Sequence, residues 1–206
     1  MEGVGDFMVK DTKTEILEAA LDLFSKQGFH GTSMQEIAEE VGIHKSSIYN
    51  HFAGKDKLLK SLFDSFGPGR IKDKLQSLKR QEKIEQPYQF LQELGQLAPE
   101  VISSKKEQKF VKLLLIEHNQ QVVQEKIKDQ IFSITRGELV KIFEEMMERN
   151  LIKQEDPLLL ANGFIGPIIL LRLEHLMFCK EDKDMKYISK FIQQHIDFFW
   201  QNIREK

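Results

Sequence analysis

Residues 32–59, TSMQEIAEEVGIHKSSIYNHFAGKDKLL, hold three apolar-periodic segments broken by Gly42 and Gly54. Ser33 is placed to cap a helix with its hydroxyl, while Glu36, three residues on, closes a capping box. Ile37, Ala38 and Val41 give that helix its inward face, and Gly42 permits a sharp turn. A short helix is expected over 45–51, with Ile43 and Ile48 spaced as a hydrophobic staple and His44 at the cap position. With successive side chains about 100° apart around the helix, Ile48 and Phe52 fall together on its inward side. Ser46 and Asn50 therefore face directly out, flanked by Ser47 and Tyr49. Such a surface, uncharged but hydrogen-bonding and with lysines at both ends, suits the floor of a DNA major groove. Small residues let the helix approach closely, Asn offers the donor and acceptor that adenine N6 and N7 require, and lysines meet phosphates. The competing reading is an ordinary solvated helix in a common two-helix turn.

Upstream, a helix over about 11–27 points Ile16, Ala20, Leu23 and Phe24 inward, and Gly28 ends it. Charge is distributed to match. Residues 1–43 carry three Lys against nine Asp plus Glu, net −6, whereas residues 44–60 carry four Lys (45, 55, 57, 60) against Asp56, net +3. The positive charge thus sits beside the outward-facing polar helix.

The stretch I16-L-E-A-A-L-D-L-F-S-K-Q-G28-F-H-G-T-S33, then I37-A-E-E-V-G42-I, then I48-Y49-N-H51-F52 and K55-D-K-L58-L resembles the DNA-binding domain of the tetracycline-repressor (TetR) family of bacterial regulators. Spacing, glycine positions and the aromatic pair agree together. Beyond residue 66 the resemblance is one of length and helicity only. The resemblance implies a helix-turn-helix whose third helix enters the groove. Carried over residue by residue, Ser33 and the amides near it look like phosphate ligands at a helix N-terminus, and Gln35 matches a position able to reach a base edge. Lys45, Ser46, Ser47, Tyr49, Asn50 and His51 match the family's contact set, with the Tyr49 hydroxyl on phosphate, and Lys55 matches its phosphate-binding lysine. Phe52 is packing. Two positions depart from the family: His44 stands where Ser or Thr is common, weakening the cap, and Ala53-Gly54 precede Lys55 where relatives carry polar or basic residues, leaving it less support.

Periodicity is helical almost throughout, so the expected fold class is all-α: a helix-turn-helix domain over 10–66, then a larger helical ligand-binding and dimerisation domain over 71–206. At 206 residues with 41% hydrophobic content the chain can bury a sizeable core. GPGR at 67–70 marks the break between the two parts. It lacks the preceding strand and glycine spacing of a phosphate loop. Helix starts are expected at Pro87 and Pro157 and a kink or stop at Pro99, giving about five or six helices in the body.

Segments 157–179 and 184–203 are apolar beyond a single stripe, the second through Ile188, Phe191, Ile192, His195, Ile196, Phe199 and Ile203. In the TetR family the last two long helices pair with those of a second copy, so a homodimer is expected, with a palindromic operator to match. Charge at Ile192 or Ile196 is expected to break it. The alternative is that both segments are internal core. Phe90, Phe110, Phe132, Phe143, Phe164 and Met147 fall where the family keeps its inducer pocket, although such spacing is equally what packing requires. No ligand-binding residue is assigned. An apolar or amphipathic effector is expected from the aromatic content and the scarcity of prospective buried charges.

No catalytic motif or cofactor fingerprint is present, and no cofactor is expected. His118 and His175 lack His or Cys partners at helical spacing, so no metal site is expected. The single Cys179 allows no internal disulfide, the start MEGVGDFMVKDTK lacks the character of a signal peptide, and FIGPIILLRLEHLMF is interrupted by Pro167, Arg172, Glu174 and His175. A cytoplasmic protein without a membrane role follows. The function expected is a DNA-binding transcriptional regulator, a ligand-responsive repressor rather than an enzyme. The alternative is a helical small-molecule-binding or interaction protein without DNA-dependent regulation.

Overall fold

The computed structural model describes residues 11–66, 84–178 and 185–205, and the side chains of 130–132 are outside the description. The GPGR break, Cys179, the N-terminal ten residues and the Phe132 ring therefore fall outside the described residues. Among the described residues all regular structure is helical, as expected, and the single β-type pairing is an isolated bridge between Ile152 and Arg204.

Four helices form the N-terminal part: α1 Thr12–Gln27, α2 Met34–Val41, α3 Lys45–His51 and α4 Lys55–Phe66. Asp11 caps α1, and Gly28 ends it at φ 79°, a conformation side chains resist. Ile16, Ala20 and Phe24 are buried as predicted; Leu23 is only partly so, while Leu17 and Leu21 are also buried. The wider stripe has a cause, because α1 is covered on several sides, by α2, by α4 and by a helix of the body.

That helix is α7. The body comprises α5 Pro87–Gly95, α6 Leu97–Ser103, α7 Lys105–Ile116, α8 Gln121–Lys126, a π-helical segment Ile127–Arg136, α9 Gly137–Glu148, α10 Pro157–Phe178 and α11 Met185–Ile203. Pro87 opens α5 and Pro157 opens α10, where a missing N–H breaks no helical bond. Pro99 lies in the first turn of α6 for the same reason. Among the described residues of the body seven α-helices stand where about five or six were expected, because Gln96, the capping Ser104 and the turn at 117–120 divide one amphipathic stretch into short pieces.

Two apolar clusters organise the chain. The first unites α1–α4 with Phe110, Leu113 and Leu114 of α7 and Val123 of α8, and the Phe63 and Phe110 rings meet edge to face at 5.3 Å. Ion pairs Lys106–Glu18 (2.5 Å) and Lys109–Asp22 flank this seam, and hydrogen bonds from Lys109 and Lys26 hold the Asp22 carboxyl below its ordinary pKa. The second cluster joins α5, α6 and α9–α11 around Phe143, Phe164 and Phe199.

Two expectations change here. Ile192 and Ile196 belong to the second cluster rather than to an outer face: Ile196 is 1% exposed, and a Cβ on Gly95 of α5 would overlap its Cδ1. Charge at either would disrupt the protein's own core, so neither reports on dimerisation. The outward apolar side is instead formed by Leu159, Leu170 (58% exposed), Met177 and Phe178 of α10 with Tyr187 and Phe198 (67%) of α11. The interrupting residues of the 157–178 segment also matter less than expected. By length and a mean hydropathy of 1.4, α10 is long and apolar enough to cross a membrane, and only 22% of that window is buried inside the molecule. Arg172 is tolerated because it pairs with Glu107 of α7 at 2.9 Å.

Candidate nucleic-acid interface

The site is built at the junction of α2, α3 and α4. The capping box is complete: the Ser33 hydroxyl accepts from Glu36 N–H at 3.1 Å, and the Glu36 carboxylate accepts from Ser33 N–H at 2.7 Å. Hydrogen bonds from Ser33 and Gln27 hold Glu36 below the usual carboxylate range. Because Ser33 spends its own N–H on Glu36, an anion approaching this end meets the Ser33 hydroxyl proton and the first-turn amides of Met34 and Gln35, which have no intrahelical acceptor.

Gly42 then turns the chain in the left-handed region (φ 77°, ψ 28°), its N–H returning to Ala38 and Glu39 carbonyls. A Cβ would meet nothing there, so the backbone conformation rather than space selects glycine. α3 starts at His44, which makes no side-chain cap bond, in line with the weak cap expected. Ile48 and Phe52 are buried and anchor α3, leaving Lys45, Ser46, Tyr49, Asn50 and His51 exposed and Ser47 half-buried. No acidic residue lies on α3.

Ser33, Gln35, Lys45, Tyr49 and Lys55 come together around an open cleft of about 590 Å³, whereas Ser46, Ser47, Asn50 and His51 lie outside it along α3. Gln35 donates to Glu39 at 2.6 Å, a bond it must release to reach a base. Lys55 is better supported than Ala53-Gly54 suggested. Its ammonium donates to the carbonyls of Phe29 and Thr32, both at 2.6 Å, and lies 4.5 Å from the centre of the Phe29 ring. One of its three N–H groups is left for an outside acceptor.

Phe29 and its second partner were not legible in the sequence. Glu117, just beyond α7 and 88 residues away in the chain, accepts from Phe29 N–H at 2.7 Å and from the Gln120 side chain, and is itself buried. The body therefore grips the loop before α2 through Phe29, and Phe29 in turn holds Lys55. Distance in sequence hides this pairing; the only local hint is that Phe29 lies between Gly28 and Gly31.

A bihelical unit with a glycine turn, a capped second helix and an exposed, acid-free third helix defines a helix-turn-helix protein. Residues 16–62 match the model of the tetR family of bacterial regulatory proteins. The chain is 27% identical over 196 residues to YerO, an uncharacterized HTH-type transcriptional regulator of Bacillus subtilis, covering 92% of this chain and 64% of YerO. The chain thus spans just under two-thirds of that relative's length. The fold is similar to that of the fatty acid degradation regulator FadR from Bacillus halodurans (TM-score 0.72, 20% identity, 96% of each chain). It is also similar to SmeT in a complex with triclosan (TM-score 0.75, 14% identity, 95% of this chain and 92% of that one); SmeT is the repressor of the Stenotrophomonas maltophilia multidrug efflux pump SmeDEF.

Proposed function

We propose that the protein is a cytoplasmic transcriptional repressor, a homodimer that binds a palindromic operator and is released by an apolar or amphipathic small molecule. Residues 10–66 form the reading part and 71–206 the effector and dimerisation part. The observation that carries this reading is the outer face of α3, exposed, free of acidic residues and set beside the capped start of α2. Asn50 and Ser46 face base edges, with Ser47 and His51 at their flanks and Gln35 reaching in from α2. Ser33, Lys45, Tyr49 and Lys55 take phosphates. Binding of triclosan by a protein of the same fold supports an effector in the body.

Response to an effector requires differential contact with two arrangements of the body, worth about 1–3 kcal/mol of coupling. Helix α7 is the element placed to carry it. Its length packs on α1 and α4, and the residue after its end, Glu117, holds Phe29. A shift of α7 would pull that loop, and with it Lys55 and the start of α4.

The test is selection of bound DNA from a random-sequence pool by the purified protein. A palindromic consensus is expected; failure of any sequence to enrich would instead favour a helical ligand-binding protein without a DNA role. Point substitutions refine the result. Asn50→Ala should cost about 1–3 kcal/mol on the selected site and relax preference at one or two base positions, while Lys45→Ala should weaken all sequences alike and lower the salt slope by about one ion. Competition titrations over a salt series against random DNA separate the two effects, and identical behaviour of both variants would contradict the assignment.

A further inference from the structure

Among the described residues, one buried side-chain polar atom has no hydrogen-bond partner: Nδ1 of His175, on α10. The residue is 6% exposed. Its other nitrogen, Nε2, lies 3.3 Å from Nε2 of Gln108 on α7. The Gln108 amide nitrogen also donates to the Ile102 carbonyl at 3.1 Å, which fixes the orientation of that amide, since a backbone carbonyl can only accept. Gln108 therefore presents N–H to His175, and Nε2 of the ring must be the acceptor. By this network the proton resides on Nδ1, so the unpartnered atom is a buried donor. A buried donor without an acceptor is costly and uncommon, and calls for a specific explanation.

The surroundings are donor-rich. Arg172, one turn back on α10, donates to Glu107 through Nη2, to the carboxylate at 2.9 Å and to the backbone carbonyl at 3.5 Å. The guanidinium has further N–H groups to offer. Burial pulls the Arg172 pKa down while Glu107 opposes that shift. Helix α10 packs on α6, α9, α11 and the π-helical segment, and the buried side chains of α6 and α9 are apolar, Ile102, Leu139, Ile142 and Phe143 among them. The π-helical segment spans ten residues, and such helices are rare and concentrate at functional sites.

From the unpartnered His175 donor, the adjoining Arg172 and this apolar setting, we infer that His175 Nδ1–H is the polar anchor of the effector site and that the effector is an acyl compound, its carbonyl oxygen accepting from His175 and its hydrocarbon chain lying among α6, α9 and α10. The inference rests on the ligand-responsive reading above and names the chemistry of its ligand. It also gives the signal a route. Gln108 and Glu107 sit near the start of α7, and Glu117, the residue after its end, holds Phe29. An oxygen drawn to His175 re-forms the contacts of Gln108 and Arg172 at one end of α7, and the other end grips the reading head.

The experiment measures binding of decanoic acid, methyl decanoate and decane to the full chain by thermal shift and calorimetric titration, without DNA. The acid or the ester is expected to raise the melting temperature of the wild-type protein and decane to bind at least about tenfold more weakly, with the acid alone active if a carboxylate is required and both active if a carbonyl suffices. His175→Phe, which keeps the ring volume and removes the donor, should lose roughly tenfold or more in affinity for the active compound. His175→Gln, which retains an N–H, should recover part of it and serves as a second variant should the first not fold. Binding of neither acid nor ester, or equal affinity in wild type and both variants, would overturn the inference. Operator binding measured on the same preparations is independent of this outcome, so a failed anchor is distinguished from a failed regulator.

Discussion

Replacing Leu170 and Phe198 together with glutamate is expected to convert the protein from a dimer to a monomer at micromolar concentration and to lower operator affinity by about 10²–10⁴-fold, the gain normally supplied by linking two reading heads. The reason is the outer side of α10 and α11. Leu159, Gly163, Gly166, Leu170 and Met177 recur at helical spacing along α10, and Tyr187 and Phe198 continue the apolar surface on α11. Phe178 is 74% exposed. A surface of this kind on an isolated chain marks an interaction site. Gly166 leaves α10 without a side chain midway along that face, with nothing within 4 Å of where a Cβ would stand, so a second copy can approach closely there, while Gly163 borders the Phe199 ring of its own chain. Because Leu170 and Phe198 touch little of their own chain, the double substitution should leave folding intact, unlike charge at Ile192 or Ile196. Sedimentation velocity with circular dichroism checks this result. A variant that remains a dimer would place the interface elsewhere.

A second large effect is expected inside the body. Phe164→Ala should lower unfolding stability by about 3–5 kcal/mol, the usual cost of truncating a fully buried aromatic side chain. Phe164 stands at the centre of the second cluster, with its ring 5.3 Å from Phe199, 5.8 Å from His195 and 6.4 Å from Phe143. Its carbonyl accepts from His195 Nε2 at 2.8 Å, a bond that the substitution retains, so the loss measures ring packing. Urea titrations should show a lower midpoint with an unchanged slope. A loss below about 1 kcal/mol would mean that this cluster is not the body's core.

The N-terminal part was the most legible in sequence because its signals are local. A capping box needs only Ser33 and Glu36, and the turn needs only Gly42. The outward set on α3 follows from Ile48 and Phe52 facing in. Each is decided within a few residues. The body was less legible because apolar residues at helical spacing look alike whether they meet their own chain or a second one. Ile192 and Leu170 are both aliphatic positions on apolar helices, yet Gly95 receives the first side, while among the described residues the second stays 58% exposed. The supports of Lys55 were hidden for a different reason: Phe29 and Glu117 are brought together only by the packing of α1 against α7. The His175 donor likewise shows itself only once Gln108 and Ile102 are in place.

Two copies of α3 are expected to read two half-sites held at a fixed separation by an α10–α11 interface. Inserting five base pairs between the half-sites of the selected palindrome turns the second half-site to the opposite side of the duplex, since one turn takes about 10–10.5 base pairs. Fluorescence anisotropy titrations of the two duplexes at one salt concentration compare them directly. A loss of about 100-fold or more is expected on the lengthened site, towards the affinity of a single half-site. Equal affinity for both duplexes would contradict it, because heads that bind without regard to spacing are not held by a common two-fold body.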